Sequence, residues 1–409
     1  MKKFTIIILI MSFGILSGFI LNHYIKEKKS DLSKNKTDHT PNKAIEKKSV
    51  INRKATPDFT QALYITAYTV SLDKFDLILQ KAKDSGINTI VFDVKEMQGY
   101  VYFPIKEDST MKYLEQEKLW EIEHIINKIH SYDMLAVARV VQFFNIASAK
   151  KYPNLLIKHT NGGYWSEKPG KLTWLDPSQP EVQNDLRALI NKLGKTDVDE
   201  IQLDYVRFPT EGNLSNASFY YQRMDYEKAM KDTAYVKREK RHVIAEYLKS
   251  LRQICDQNNV RLTADIFAII AWQRDIDIRN TGQDIAMMTP YLSHLHPMIY
   301  SSHFARNFNH RSDDIYNKPY AIVKEGLQLT KLKTHPNCSV IPYLQAFDWK
   351  VNYNKQYLFD QFQATTDAGC KGYILWNAGN NYDRTLDWVK EWNQNAPKQT
   401  EKDSLLSAK

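Results

Sequence analysis

At 409 residues, 43% of them hydrophobic and 25% charged, the chain is long enough to bury a barrel-sized core. Its formal net charge is +9, but ten basic and four acidic residues fall between Lys26 and Pro57, and Lys2 and Lys3 precede them, so only about +1 is left for residues 58–409. A cationic excess carried outside the folded part excludes a nucleic-acid-binding domain, and three scattered cysteines without metal-ligand spacing exclude a disulfide framework.

Met1, Lys2 and Lys3 lead into an uncharged apolar run from Phe4 to Ile25, about the length that crosses a bilayer. Neither a small-x-small cleavage site nor a cysteine follows it, which favours an uncleaved signal anchor at 1–25 over a signal peptide. Residues 26–57 are rich in Lys, Asn, Ser and Thr and contain no aromatic residue, the composition of a solvated linker. The folded domain is expected over 58–397, followed by a polar tail at 398–409.

From Ala62 onward, short β-branched and aromatic runs alternate with longer helical patterns. Strands are predicted at 62–69, 87–95, 134–142, 200–207, 261–267, 294–300, 339–346 and 371–377. Helices are predicted at 73–85, closed by Gly86, at 176–194, with a Pro and acids near its start, and within 232–258. Eight strands with helices between them make an α/β chain of the (β/α)8 TIM-barrel type rather than an open doubly wound sheet. The surplus length lies after strands two, three and four, in βα connections that rise on the catalytic face of such a barrel. Those loops carry Tyr100, Tyr102 and Phe103, then Tyr164, Trp165 and Trp174, then Phe219, Tyr220 and Tyr221. Such residues either wall a carbohydrate cleft or pack as mini-cores of the loops themselves.

Period-two parity decides which strand residues point inward. Asp204 shares a face with Gln202, while Tyr205 falls on the helix side. Asp93 and Lys95 share a face on strand two, Arg139 opposes Ala138 and Val140 on strand three, and Asp265 points inward on strand five. Three carboxylates and their cations on one face suit glycosidic bond cleavage, where one acid is kept protonated and the other ionised. The catalytic candidates are therefore Asp204, Asp265 and Asp93. The candidate substrate-binding residues are Arg207, Arg139, Glu96, Lys95, Tyr68, Gln345, Trp376 and Asn377. Histidines at 124, 130, 294 and 296 do not reproduce a zinc-site spacing, and GxSxG, P-loop and GxGxxG sequences are missing, so neither metal nor cofactor is implied. The same three aspartates around a divalent ion would serve hydrolysis of another bond.

The segments LYITAYT (63–69), IVFDVKEMQGYVYF (90–103), WLDPSQPEV (174–182), DEIQLDYVRFP (199–209) and TADIFA (263–268) resemble a bacterial cell-surface family named for a putative glycoside hydrolase domain. That family is a TIM-barrel group distantly similar to α-amylase-like barrels. The resemblance implies that Asp204 is the strand-four catalytic carboxylate and Asp265 its strand-five partner, although α-amylase-like barrels usually carry a glutamate there. Glu96 is the substitute acid if its loop turns it inward. The resulting expectation is a single-pass cell-membrane protein whose extracellular barrel cleaves a polysaccharide or oligosaccharide, with a secreted form as the alternative. A catalytically inactive glycan-binding barrel is the second expectation.

Overall fold

The computed structural model describes residues 53–105 and 109–395. Eight parallel strands close on themselves: β1 Thr60–Ile65, β2 Thr89–Lys95, β3 Leu135–Val141, β4 Glu200–Asp204, β5 Arg261–Phe267, β6 His294–Met298, β7 Tyr343–Gln345 and β8 Gly372–Trp376. Each pairs with the next, and β8 pairs back onto β1 through Thr60 opposite Gly372. The chain is thus a closed (β/α)8 barrel. Parallel strands covered by helices are buried on both faces, which is why all seven residues of β2, TIVFDVK, are inside.

The helices follow the strands: α1 Lys74–Asp84, α2 Ile122–Ser131, α3 Pro180–Gly194, α4 Lys240–Gln257, α5 Ile285–Met288, α6 Tyr320–Lys333, α7 Lys355–Asp367 and α8 Asp383–Asn395. Their apolar stripes face the strands, as with Ile122, Ile125, Ile126 and Ile129 on α2. The β5–β6 crossover is built from short pieces, a 3-10 turn at Ala268–Trp272, a two-turn helix at Asp275–Thr281 and the one-turn α5, where its neighbours have full helices. Pro342, which has no N–H to give the ladder, separates the short pairing at Ser339–Val340 from β7.

Several sequence expectations shift. Strand one, expected at 62–69, ends at Ile65, because Ala67–Val70 turns into a short helix that takes Tyr68 off the strand, and strand six, expected to 300, ends at Met298. Strand four stops at Asp204 rather than 207, because Tyr205 takes a left-handed backbone with φ 53°. The linker expected to run to residue 57 is bound to the barrel from Arg53 onward. Arg53 donates to the carbonyls of Gly194, Thr196 and Val198 at 2.6–2.9 Å, and the Lys54 amide donates to Asp199. These contacts lie on the αβ-loop face, opposite the C-terminal ends of the strands. The expected anchor at 1–25 and the tail at 398–409 lie outside the described residues, and among the described residues no helix is long and apolar enough to cross a membrane.

Most of the loop aromatics pack as mini-cores. Phe103 stacks on Trp120, Phe208 meets Phe219 edge to face at 4.8 Å, and Phe144 meets Trp174 at 5.3 Å. Tyr102, Phe103, Trp165, Trp174, Phe219 and Tyr221 are all buried, so they wall no cleft; Tyr100 and Tyr220 are half-buried, and Tyr164 is 41% exposed. Cys255, Cys338 and Cys370 are buried free thiols that only pack.

Closure of the barrel depends on Gly372. Its φ is 141°, and a Cβ there would lie 2.1 Å from the Thr60 carbonyl oxygen across the β8–β1 seam. Gly372→Ala should therefore cost on the order of 3 kcal/mol, read as a lower urea midpoint with an unchanged slope.

Candidate active site

The chemistry-bearing side chains meet where β2, β3, β4 and β5 end. Arg139 rises from β3 into the barrel mouth and divides its guanidinium among three carboxylates. Nη1 donates to Asp93 Oδ1, Nη2 donates to Asp204 Oδ2, and Nε lies 3.8 Å from Asp265 Oδ2. The Tyr64 ring lies 5.3 Å from the same guanidinium, and its hydroxyl donates to Asp93 Oδ2 at 2.5 Å. Registry places these groups together: Asp93 pairs opposite Arg139 across β2 and β3, and Leu203 opposite Ala264 puts Asp204 level with Asp265.

The left-handed turn at Tyr205 shapes the second carboxylate. It folds the Tyr205 amide back onto Asp204 Oδ1 at 2.6 Å, a backbone conformation that costs a non-glycine residue about 1–2 kcal/mol. Asp204 thus has one oxygen held by Arg139 and the other by its own backbone.

Asp265 is handled differently. Gln202 Nε2 donates to its Oδ1 at 2.6 Å and to the Tyr343 hydroxyl at 2.7 Å, while buried Oδ2 has no hydrogen-bond partner. Burial, followed by the neighbouring Asp204 carboxylate, pushes the Asp265 carboxyl well above the usual range, against the pull of Arg139. Burial also raises Asp93, although Arg139 and Tyr64 oppose it. For Arg139, burial alone would favour loss of the proton, but Asp93 and Asp204 more than offset it and hold the charge firmly. A guanidinium already occupies the centre of the three aspartates, which overturns the divalent-ion reading of that triad.

Glu96 is the fourth carboxyl on this face. It is half-buried just past β2, accepts from the Tyr102 hydroxyl, and is pushed up to about 7 by burial and by Asp93. Beside it, Tyr68 donates to Glu117 at 3.0 Å and meets the Tyr102 ring edge-on at 5.6 Å. Trp376 is half-buried at the end of β8. It lies nearly parallel to Tyr64 and Tyr300 at 6.1 and 5.6 Å, and forms an indole wall over the mouth.

Four expected substrate contacts are corrected. Lys95 is fully buried, since a register shift after Asp93 turns it under the strand ends, where it donates to the Val141 carbonyl at 2.7 Å. Burial and then Arg139 bring its ammonium down to about 7. Arg207, expected to bind substrate, is buried. It is boxed by Phe267 at 4.1 Å and Trp174 at 4.9 Å, and donates to the Phe208 carbonyl. Gln345 is fully buried in a network with Phe347 and Tyr357. Asn377 donates to the Ala346 carbonyl at 2.7 Å and shapes its own turn by accepting from the Gly379 amide. His303 packs among Tyr300 and Trp349, and burial lowers it to about 4. Tyr64, Gln202, Tyr300 and Tyr343 were missed as site residues. Parity with Ala62 on the first strand would have identified Tyr64.

Residues 62–382 match the family model described as "Putative glycosyl hydrolase domain". The chain belongs to this family. No curated protein matches it. Among solved structures, the PgaB (BpsB) glycoside hydrolase domain from Bordetella bronchiseptica is 11% identical, with 81% of this chain and 98% of that one covered at a TM-score of 0.60. The catalytic domain of beta-amylase from Paenibacillus polymyxa is 14% identical, covering 84% of this chain and 100% of that one at a TM-score of 0.56. A hypothetical protein from Ruminiclostridium thermocellum is 26% identical over 50% of this chain and 96% of its own, with a TM-score of 0.41. At such identities the first two share the fold, and the glycosyl hydrolase family rests on the sequence match.

In this family member the raised Asp265 gives a stability test with a definite sign. A folded-state carboxyl held above its unfolded value of roughly 4 contributes stability at low pH that is lost as pH rises. Asp265→Asn removes that term while keeping the acceptor for Gln202. The variant should gain melting temperature over the parent, with a gap that widens between pH 4 and pH 7 in calorimetry.

Proposed function

We propose that the chain is a glycoside hydrolase in which Asp204 acts as nucleophile or base and Asp265 as general acid. The observation that carries this reading is the unequal treatment of two neighbouring carboxyls: one is paired with Arg139 and a backbone amide, the other is buried with one oxygen unpartnered, which pushes its carboxyl well above the usual range. Two acids with opposed environments are what leaving-group protonation and attack on the anomeric carbon require. Asp265 gives its proton to the glycosidic oxygen, and Asp204 attacks the sugar carbon directly or takes a proton from water. Asp93 and Tyr64 keep Arg139 aimed at Asp204. Trp376, beside Tyr300, offers an apolar face to a sugar ring. A cell-surface or extracellular polysaccharide fits the expected anchor at 1–25, because the chain reaches the barrel at Arg53 on the face opposite Asp204 and leaves the mouth clear.

The lack of solvent exposure of the Asp265 side chain favours a second reading, a barrel that binds glycans without turnover. A panel of bacterial polysaccharides separates the two: reducing-sugar release supports the hydrolase, and calorimetric binding without release supports the binder. On a cleaved substrate, Asp204→Asn should lower kcat about a thousandfold or more, with the melt shifted by only a few degrees. Retained turnover removes Asp204 from the mechanism.

A further inference from the structure

The long loops after β3 and β4 meet in a short antiparallel ribbon, Lys158–His159 against Ala217–Ser218. The ribbon rises from the strands that carry Arg139 and Asp204, so it stands on the catalytic face. Beside it lies a cavity of about 490 Å³, inside the roughly 300–1,000 Å³ range of small-ligand sites. Three of its lining side chains are Lys158, His159 and Arg223, and no carboxylate lines it. Residues 143–175 hold five lysines and one glutamate, an excess in a domain that is otherwise close to neutral.

The cationic groups are held in place. Lys158 Nζ rests 4.6 Å from the centre of the Tyr164 ring. Arg223 spends Nη1 on the Ser218 carbonyl at 2.7 Å, which leaves Nε and Nη2 without a protein acceptor among the described residues. His159 Nδ1 accepts the Asn161 amide at 3.0 Å, so its ring proton sits on Nε2 as a donor. Gly162 and Gly163 turn with φ 93° and 75°, and a Cβ at either would meet nothing within 4 Å, so this rim is open. Tyr164, the exposed member of the loop aromatics, stands beside it.

We infer that this groove is an accessory subsite that holds the anionic group of an acidic saccharide chain while the barrel mouth holds the bond to be cleaved. The inference rests on the glycoside hydrolase reading only for calling the ligand a saccharide. The fork of Arg223, the Lys158 ammonium and the His159 donor fit a carboxylate or a phosphate, and Tyr164 faces the adjoining ring.

Binding is measured by calorimetry on the full-length chain carrying Asp204→Asn, so that turnover does not consume the probe. The probes are hexagalacturonate, phosphorylated maltohexaose and plain maltohexaose. At least one anionic probe should bind ten times or more tighter than the neutral one, and its affinity should fall between 50 and 500 mM salt as the charges are screened. The tighter of the two anions identifies carboxylate or phosphate as the natural group. Lys158→Gln and Arg223→Gln should each weaken the anionic probe several-fold, and together by more than tenfold, without changing the neutral one. If Arg223→Gln lowers the melt, Lys158→Gln decides alone, because its ammonium rests on a ring and not on backbone. Equal affinity for the neutral probe, no anion binding, or indifference to Lys158→Gln overturns the subsite. Because the readout is binding, absence of sugar release by the parent chain counts against the hydrolase and leaves this result standing.

Discussion

A single buried guanidinium organises the upper half of this barrel. Arg139 faces three aspartates in a site almost closed to water, and the arrangement is tolerable only because each charge has a partner. Remove the cation, and Asp93 and Asp204 would repel each other in a medium that screens poorly. Remove either carboxylate, and the cation would be left under-compensated. The strand ends, the Tyr64 hydroxyl and the turned amide of Tyr205 are arranged around that balance.

The balance is deliberately incomplete. Arg139 satisfies Asp93 and Asp204 through its two terminal nitrogens, and only its Nε comes within 4 Å of Asp265. Asp265 therefore keeps an unpartnered oxygen, and the burial penalty of ionisation pushes its carboxyl up, against the pull of Arg139. A fold optimised for stability would place a neutral or apolar group there, so the residual cost supports the general-acid role proposed for Asp265. The strained backbone at Tyr205 sits next to the other half of the pair, where storing strain serves to position Asp204.

The aromatic loops divide into two uses. Most of their rings are spent on making long βα connections rigid, since a loop with no core of its own would hold neither Trp174 against Arg207 nor the short ribbon at residue 158. The end of β8 carries the half-buried Trp376 wall on one side of the mouth, and the long loops carry the cationic groove with Tyr164 elsewhere on the same face. Rim and centre thus differ in chemistry: the centre sets three carboxyls around one guanidinium, and the rim offers positive charge.

Period-two alternation in the sequence determined which residues enter the barrel, because in a strand the side-chain direction is set by the backbone alone. That rule placed Asp93, Arg139, Asp204 and Asp265 on one face before any contact was visible, and the regular recurrence of strand and helix patterns determined the (β/α)8 closure. Partnership was decided only in three dimensions. Arg207, three residues from Asp204, is its neighbour in sequence, but a turn left-handed at Tyr205 sends it into an aromatic box, and Arg139, 65 residues away, takes its place. Lys95 shares the parity of Asp93, yet a register shift between them moves it under the strand ends. Gln345 and Asn377 sit at strand ends, as substrate ligands would, and are consumed by backbone hydrogen bonds. Alternation is a local property and can be read along the chain. Which charge meets which depends on bulges, turns and cross-strand registry, and those exist only once the barrel has closed.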